Sequence, residues 1–283
     1  MRVRSVAALC AALVLAGCAA AASGSRESSP AASVDVSSAS PGAAALPRTR
    51  IRVAAAADLR YAMDELVADW SLGNPGIEVE PTYGSSGTFF TQISEGAPFD
   101  VYFSADAEYP RRLETAGLAE SGSTRLYGIG RIVVWVPNGS ALDVDTRGLV
   151  ALTDASVKTI AIANPEHAPY GRAAVAAMKT AGIYDAVESK LVLGENVSQA
   201  AQFVESGNAD VGVIALSLAV APELRDKGRY AIVPIASYPR LEQGAIVPMS
   251  ANDPDAARAF LDFVLGPEGR TVLDRYGFLL PPS

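Results

Sequence analysis

The chain is poor in the residues that most often carry chemistry. It holds one histidine, His167, and two cysteines, Cys10 and Cys18, among 283 residues. From Thr49 onward there is no cysteine. The folded part therefore has no disulfide and rests on an apolar core. No second histidine, cysteine pair or H-E-x-x-H pattern supports a built-in metal-ion site, and we read His167 as a loop residue that orders its turn. There is no G-x-x-x-x-G-K-[ST], so the chain is not a P-loop ATPase. Gly128-Ile129-Gly130 lacks a third glycine and precedes a strand, the wrong order for a dinucleotide loop. Positive charge is also scarce: 23 Lys and Arg against 31 Asp and Glu give a net charge of −8. That balance excludes nucleic acid as a partner. It leaves a small anion open, because local donors make an anion site.

What the chain does have begins at its amino end. Arg2 and Arg4 precede the apolar run Val6 to Ala16, and then comes L-A-G-C, Leu15 to Cys18. A basic start, a short apolar core and small residues before a cut site make a secretory signal, residues 1–17. The run is too short to span a bilayer as a finished helix, and no transmembrane segment follows it. The L-A-G-C segment resembles a bacterial lipobox, which implies that Cys18 becomes a lipidated amino terminus. Ala19 to Arg48 is rich in Ala, Ser, Pro and Gly and poor in large apolar residues. It cannot bury enough surface to offset its ordering entropy, so residues 18–48 read as a lipidated cysteine and a flexible tether.

From Thr49 strand and helix patterns alternate. Leu59, Ala62, Met63, Leu66, Val67 and Trp70 share one helical face. Helices are also expected over Thr88–Glu95, Ala107–Ala116 and Arg172–Ala181, with Gly117 and Gly182 past two of their ends. Asp253 and Pro254 read as the cap and first residue of a helix carrying Ala257, Phe260, Leu261 and Val264. Strands are expected at I51-R-V-A-A, G76-I-E-V-E-P-T-Y, D100-V-Y-F, R131-I-V-V-W-V-P and K158-T-I-A-I-A, among others. The alternation implies an α/β fold with mainly parallel strands.

In such folds ligands sit beyond the carboxyl ends of the strands, where helix amino ends gather. Four turns qualify. A-A-A-A-D-L places Asp58 at a helix cap, and Y-G-S-S-G places Ser85 and Ser86 at a second; Asn164–Gly171 and Gly194–Ser198 precede two more helices. Each helix start offers unpaired N–H groups and the positive end of its dipole, and several aimed at one point make an anion site. Taken singly, each Ser or Asp is an ordinary helix cap. The glycines of Y-G-S-S-G let the backbone approach a ligand closely. Enzyme readings are weaker. Gly84-Ser85-Ser86-Gly87 is not the G-x-S-x-G elbow, and His167 is the sole imidazole available to a Ser/His hydrolase. Asp100 and Asp106 read as caps rather than as an acid and base pair.

The segments I-R-V-A-A-A-A-D-L-R-Y-A-M, Y-G-S-S-G-T-F-F-T-Q-I-S-E-G-A-P-F-D-V-Y-F-S-A-D, N-P-E-H-A-P-Y-G, G-E-N-V-S and D-R-Y-G-F come in an order that resembles the molybdate-binding proteins of bacterial ABC transporters. The resemblance implies a two-lobed periplasmic binding protein fold of type II, each lobe a mainly parallel sheet flanked by helices. Lobe 1 would take 49–129 and 238–283, and lobe 2 would take 130–237. It further implies an extracytoplasmic, lipid-anchored monomer that binds molybdate, needs no cofactor, does no catalysis and hands its ligand to a permease. Tungstate or another tetrahedral oxyanion on the same scaffold is the alternative; a hydrolase or transferase using the cleft is a more distant one. Carried over, Ser86 gives its hydroxyl and amide, Tyr170 and Val197 give amides, Asp58 contributes from the first loop, and Ser85 and Ala57 are neighbours. No side chain ligates a metal ion; the metal arrives as its oxyanion. Two positions depart from the family pattern. Asp58 stands where relatives carry a serine, and Ala215 where some carry a tyrosine. A carboxylate facing a dianion is repulsive, so Asp58 is expected to turn its carboxylate onto its own helix N–H groups and offer the ligand only its amide.

Overall fold

Strand β1, Thr49–Ala56, is covered on both faces: Ile51, Val53, Ala54, Ala55 and Ala56 are all buried. A strand buried on both sides reads as a nearly continuous apolar run, and it sits at the heart of a layered α/β structure. The structure, a computed structural model, describes residues 49–282. The signal segment, Cys18 and the tether to Arg48 lie outside the described residues. Among those described, no helix is long and apolar enough to cross a membrane.

From β1 the chain runs through α1 (Arg60–Gly73), β2 (Ile77–Gly84), α2 (Ser86–Ser94), β3 (Val101–Ser104), α3 (Glu108–Thr115) and β4 (Arg125–Gly130). It then enters a second sheet as β5 (Ile132–Pro137), followed by the short α4 (Val144–Arg147), β6 (Ile160–Ala163), α5 (Pro169–Thr180), the short α6 (Tyr184–Val187) and β7 (Leu191–Gly194). Next come α7 (Val197–Glu205), β8 (Val211–Ala215), the short α8 (Leu216–Ala219) and β9 (Gly228–Ile232). The chain returns to the first sheet as β10 (Leu241–Ile246) and ends with α9 (Pro254–Leu265) and α10 (Pro267–Arg275).

The sheets have the orders β2-β1-β3-β10-β4 and β7-β6-β8-β5-β9. The two-lobed α/β architecture with mainly parallel strands is the expected one: in each sheet four of the five strands point the same way and one, β10 or β5, runs against them. Pairs β1–β2, β1–β3, β6–β7 and β6–β8 are parallel; β3–β10, β4–β10, β5–β8 and β5–β9 are antiparallel. The reason is the chain path. The antiparallel strand beside β3 is the one returning from the other sheet, and the one beside β8 is the one arriving there.

Helix α1 buries Ala62, Met63, Leu66 and Trp70, the face its periodicity marks. Trp70 meets Phe260 of α9 edge-on at 5.6 Å, which ties α1 directly to α9. Asp253 caps α9 by accepting from the Ala256 amide at 3.0 Å, with Pro254 at the first position. Gly117, Gly182, Gly207 and Gly277 close helices at positive φ.

Candidate functional site

Strands β1, β2, β6 and β7 each run straight into a turn that opens a helix or a 3₁₀ turn, and all four turns line one small cavity of about 10 Å³. Ala57, Asp58, Ser85, Ser86, Tyr170 and Val197 are all in its wall.

The donors follow from local rules. Ser86 is the first residue of α2 and Val197 of α7, so neither amide has a partner within its helix. Asn196 caps α7 by accepting from the Gln199 amide at 3.0 Å, which leaves the Val197 amide unclaimed by the cap. Helix α5 opens with Pro169, which has no N–H, so Tyr170 carries its first donor. The hydroxyl oxygen of Ser86 accepts from the Ala105 amide at 2.9 Å, and its carbonyl accepts from Tyr102 Oη at 2.7 Å. Ser86 is 1 % exposed. With its oxygen so held, its O–H proton remains to be donated.

The two lobes meet tightly around this cavity. Ser85 Oγ donates to the His167 carbonyl at 2.6 Å, and the Gly87 amide donates to the same oxygen at 3.0 Å. Ser198 Oγ donates to the Ala57 carbonyl and Ser217 Oγ to the Asp58 carbonyl, both at 2.7 Å. Arg172 on α5 pairs with Asp106 at 2.8 Å and donates to Tyr109 Oη at 3.2 Å. Closeness demands small residues: a Cβ on Gly87 would lie 2.6 Å from the His167 carbonyl oxygen. Ala56, Ala57 and Ala105 join the apolar core of the second lobe.

Asp58 corrects the sequence reading. It lies inside a 3₁₀ turn, Ala57–Leu59, whose cap is Ala56, and it makes no capping bond. Its carboxylate instead joins the two lobes: Oδ2 accepts from Tyr170 Oη of the other lobe at 2.9 Å and from Gln243 Nε2 of its own lobe at 2.7 Å. Gln243 Nε2 also donates to Tyr170 Oη at 3.1 Å. Gly130 makes room for this cluster, since a Cβ there would collide with Tyr170 Oη. Burial raises the Asp58 pKa to about 6, against the bonds from Gln243, Tyr170 and its own backbone, which lower it. Burial likewise pushes the Tyr170 hydroxyl well above its ordinary range, so it stays a neutral donor. Ser85 is corrected too. It takes the cap position of α2 without a capping bond, because its hydroxyl serves His167 of the other lobe.

Gln243, Ser198, Ser217 and Arg172 were not among the candidate site residues, and Asp106, read as a cap, pairs with Arg172 as well as accepting from the Glu108 amide at 3.0 Å. Gln243 carried one faint signal, an amide in the otherwise apolar strand L-E-Q-G-A-I. The others looked like surface residues of helices. Asp100, read as a cap at a strand end, accepts from the Arg52 and Asn252 amides, each at 2.7 Å, and so anchors segments far apart in the chain.

A family model for bacterial extracellular solute-binding proteins matches residues 51–279. The chain belongs to that family. It is 39 % identical over 204 residues to the molybdate-binding protein ModA of Rhodobacter capsulatus, covering 72 % of this chain and 78 % of the relative. It is 27 % identical over 235 residues to the putative ABC transporter substrate-binding lipoprotein YvgL of Bacillus subtilis, covering 82 % of this chain and 86 % of that one. Among solved structures, the periplasmic molybdate-binding protein of Azotobacter vinelandii matches with a TM-score of 0.75 at 29 % identity, over 82 % of this chain and 100 % of that chain. As a family member the protein is an extracytoplasmic solute-binding protein and not an enzyme.

Proposed function

We propose that the protein captures molybdate between its lobes and delivers it to an ABC transporter permease. One observation supports this reading: the starts of α2, α5 and α7 bring Ser86, Tyr170 and Val197, whose amides have no partner within their helices, into the wall of one cavity. The names of the relatives from Rhodobacter and Azotobacter support the choice of oxyanion. A buried tetrahedral dianion needs its oxygens satisfied by donors, and hydrogen bonds to a charged group contribute roughly 1.5–3 kcal/mol each. Neutral donors at helix ends stabilise the anion without a fixed counter-charge, which keeps release possible. The metal is enclosed by its own four oxygens, so no residue ligates it. Donors come from both lobes, taken as 49–129 with 238–283 and as 130–237, so binding and closure favour one another.

Calorimetric titration of the purified protein with molybdate, tungstate, sulfate and phosphate is the test. Molybdate is expected to bind tightly and sulfate weakly. A preference for tungstate alone would select the alternative ligand, and no heat and no thermal shift with any oxyanion would refute the reading. The proposal extends to a lipid anchor at Cys18, supported by L-A-G-C and by the word lipoprotein in the Bacillus relative's name. Cys18→Ala should release the protein from membranes; retention would contradict the anchor.

A further inference from the structure

Asp58 is the one acid in the wall of this cleft, whose other candidate groups are neutral donors. It is 1 % exposed. Its Oδ2 already accepts from Tyr170 and Gln243, whereas its Oδ1 is buried with no hydrogen-bond partner among the described residues. The groups that face it are Tyr170 from α5, Gln243 from β10 and Tyr127 from β4, whose hydroxyl burial also raises well above its usual range. Helices α7 and α8, packed on the same turn, contribute Ser198 and Ser217, which do not titrate. Arg60, next in the chain, lies over the Tyr83 ring at the end of β2, and Tyr83 in turn donates to Asp64. No cation pairs with the Asp58 carboxylate among the described residues.

On the reading of this cleft as an oxyanion site, we propose that capture is coupled to the uptake of one proton at Asp58, making it a specificity-determining residue. The carboxylate becomes a carboxylic acid as the divalent anion arrives, and no bond within the anion is made or broken. The proton belongs on Oδ1, the oxygen without a donor, because Oδ2 is already satisfied twice. An unpaired buried acceptor thereby becomes an O–H donor, and the oxyanion in the cavity that Asp58 lines is the acceptor for it. Two like charges confined in a low-dielectric cleft cannot both persist, and the carboxyl is the group that neutralises. Burial has already brought its pKa to about 6, so only a small further rise is needed near neutrality. The cleft then sorts oxyanions by basicity as well as by size. Sulfate, the base of a strong acid, is a poor acceptor for the shared proton, and molybdate, the base of a weaker one, is a better acceptor.

The test is calorimetry with molybdate at about pH 7.5 in two buffers of different ionisation heat, together with dissociation constants from about pH 7 to about pH 9. Free molybdate stays a dianion over that range. We expect close to one proton taken up per molybdate and a loss of affinity of about tenfold per pH unit. Asp58→Asn should bind with no proton uptake and a flat profile. Wild-type binding without proton uptake and without pH dependence would overturn the coupling and leave the molybdate reading standing, whether or not the variant folds. The same proton count in Asp58→Asn would also overturn it. If molybdate gives no binding heat with the wild type at any pH, both readings fall together.

Discussion

The hydroxyl of Tyr170 donates to the carboxylate of Asp58 at 2.9 Å, joining residues 112 positions apart and belonging to opposite lobes. The same Tyr170 carries the first free amide of α5, so on the proposed function one residue would supply an anion donor from its backbone and the closing contact from its side chain. The two can be separated by mutation. Tyr170→Phe keeps the amide and removes the contact, leaving Asp58 with Gln243 alone. A hydrogen bond of this kind contributes roughly 0.5–1.5 kcal/mol net, and more when its acceptor is ionised. Molybdate affinity is expected to fall by about three- to thirtyfold, with most of the change in the dissociation rate. Stopped-flow release kinetics check this. An unchanged release rate would mean that the contact does not hold the lobes shut.

Ser86→Ala removes a different kind of group. Its oxygen accepts from the Ala105 amide inside the protein, and on the proposed function its proton would go to the ligand. Losing a donor to a buried anion should weaken binding by about 10- to 100-fold. Leaving the Ala105 amide unpaired should also cost about 1 kcal/mol of stability. Calorimetry and thermal unfolding on the same sample separate the two. A lower melting temperature with unchanged affinity would confine Ser86 to supporting Ala105.

Local pattern carried the reading of the fold a long way and the reading of the site only part of the way. The apolar stripe of α1 and the Asp253–Pro254 start of α9 are local features, and both stand where the periodicity places them. Helices α2 and α5 begin earlier than expected, at Ser86 and Pro169, because Ser-Gly and Tyr-Gly read as loop chemistry while their backbones are helical. Strand β4 escaped notice because R-L-Y-G-I-G is broken by two glycines. One of them, Gly130, is there for Tyr170 and Gln243, residues far along the chain. Asp58 fails for the same reason. Helix-capping rules describe what an Asp does with its neighbours, but its partners here arrive from positions 170 and 243. The convergence of Ser86, Tyr170 and Val197 was legible because the carboxyl ends of β1, β2, β6 and β7 all feed helix or 3₁₀ starts.

Burial of Asp58 also makes a claim about stability and pH. Its carboxyl titrates at about 6 in the closed fold, above the ordinary Asp value near 3.9 that an unfolded chain would show. The folded state therefore binds more protons than the unfolded one between these two values. This group's contribution is fully present below about pH 4, is lost as pH rises through about 6, and is constant above that. Other carboxylates run the opposite way: hydrogen bonds from Ser156 and Arg147 lower Asp154 to about 2, so its contribution is lost on acidification. The difference between wild type and Asp58→Asn isolates the buried group. Asparagine keeps an acceptor for Tyr170 and Gln243 but carries no charge to desolvate. Relative to wild type, the variant should gain about 2–3 kcal/mol in stability between about pH 4 and about pH 7.5. Urea unfolding at those two pH values measures it. A difference that does not change with pH would mean that the cleft opens in solution far enough to hydrate the carboxylate, and that the Tyr170–Asp58 contact forms only when an anion draws the lobes together.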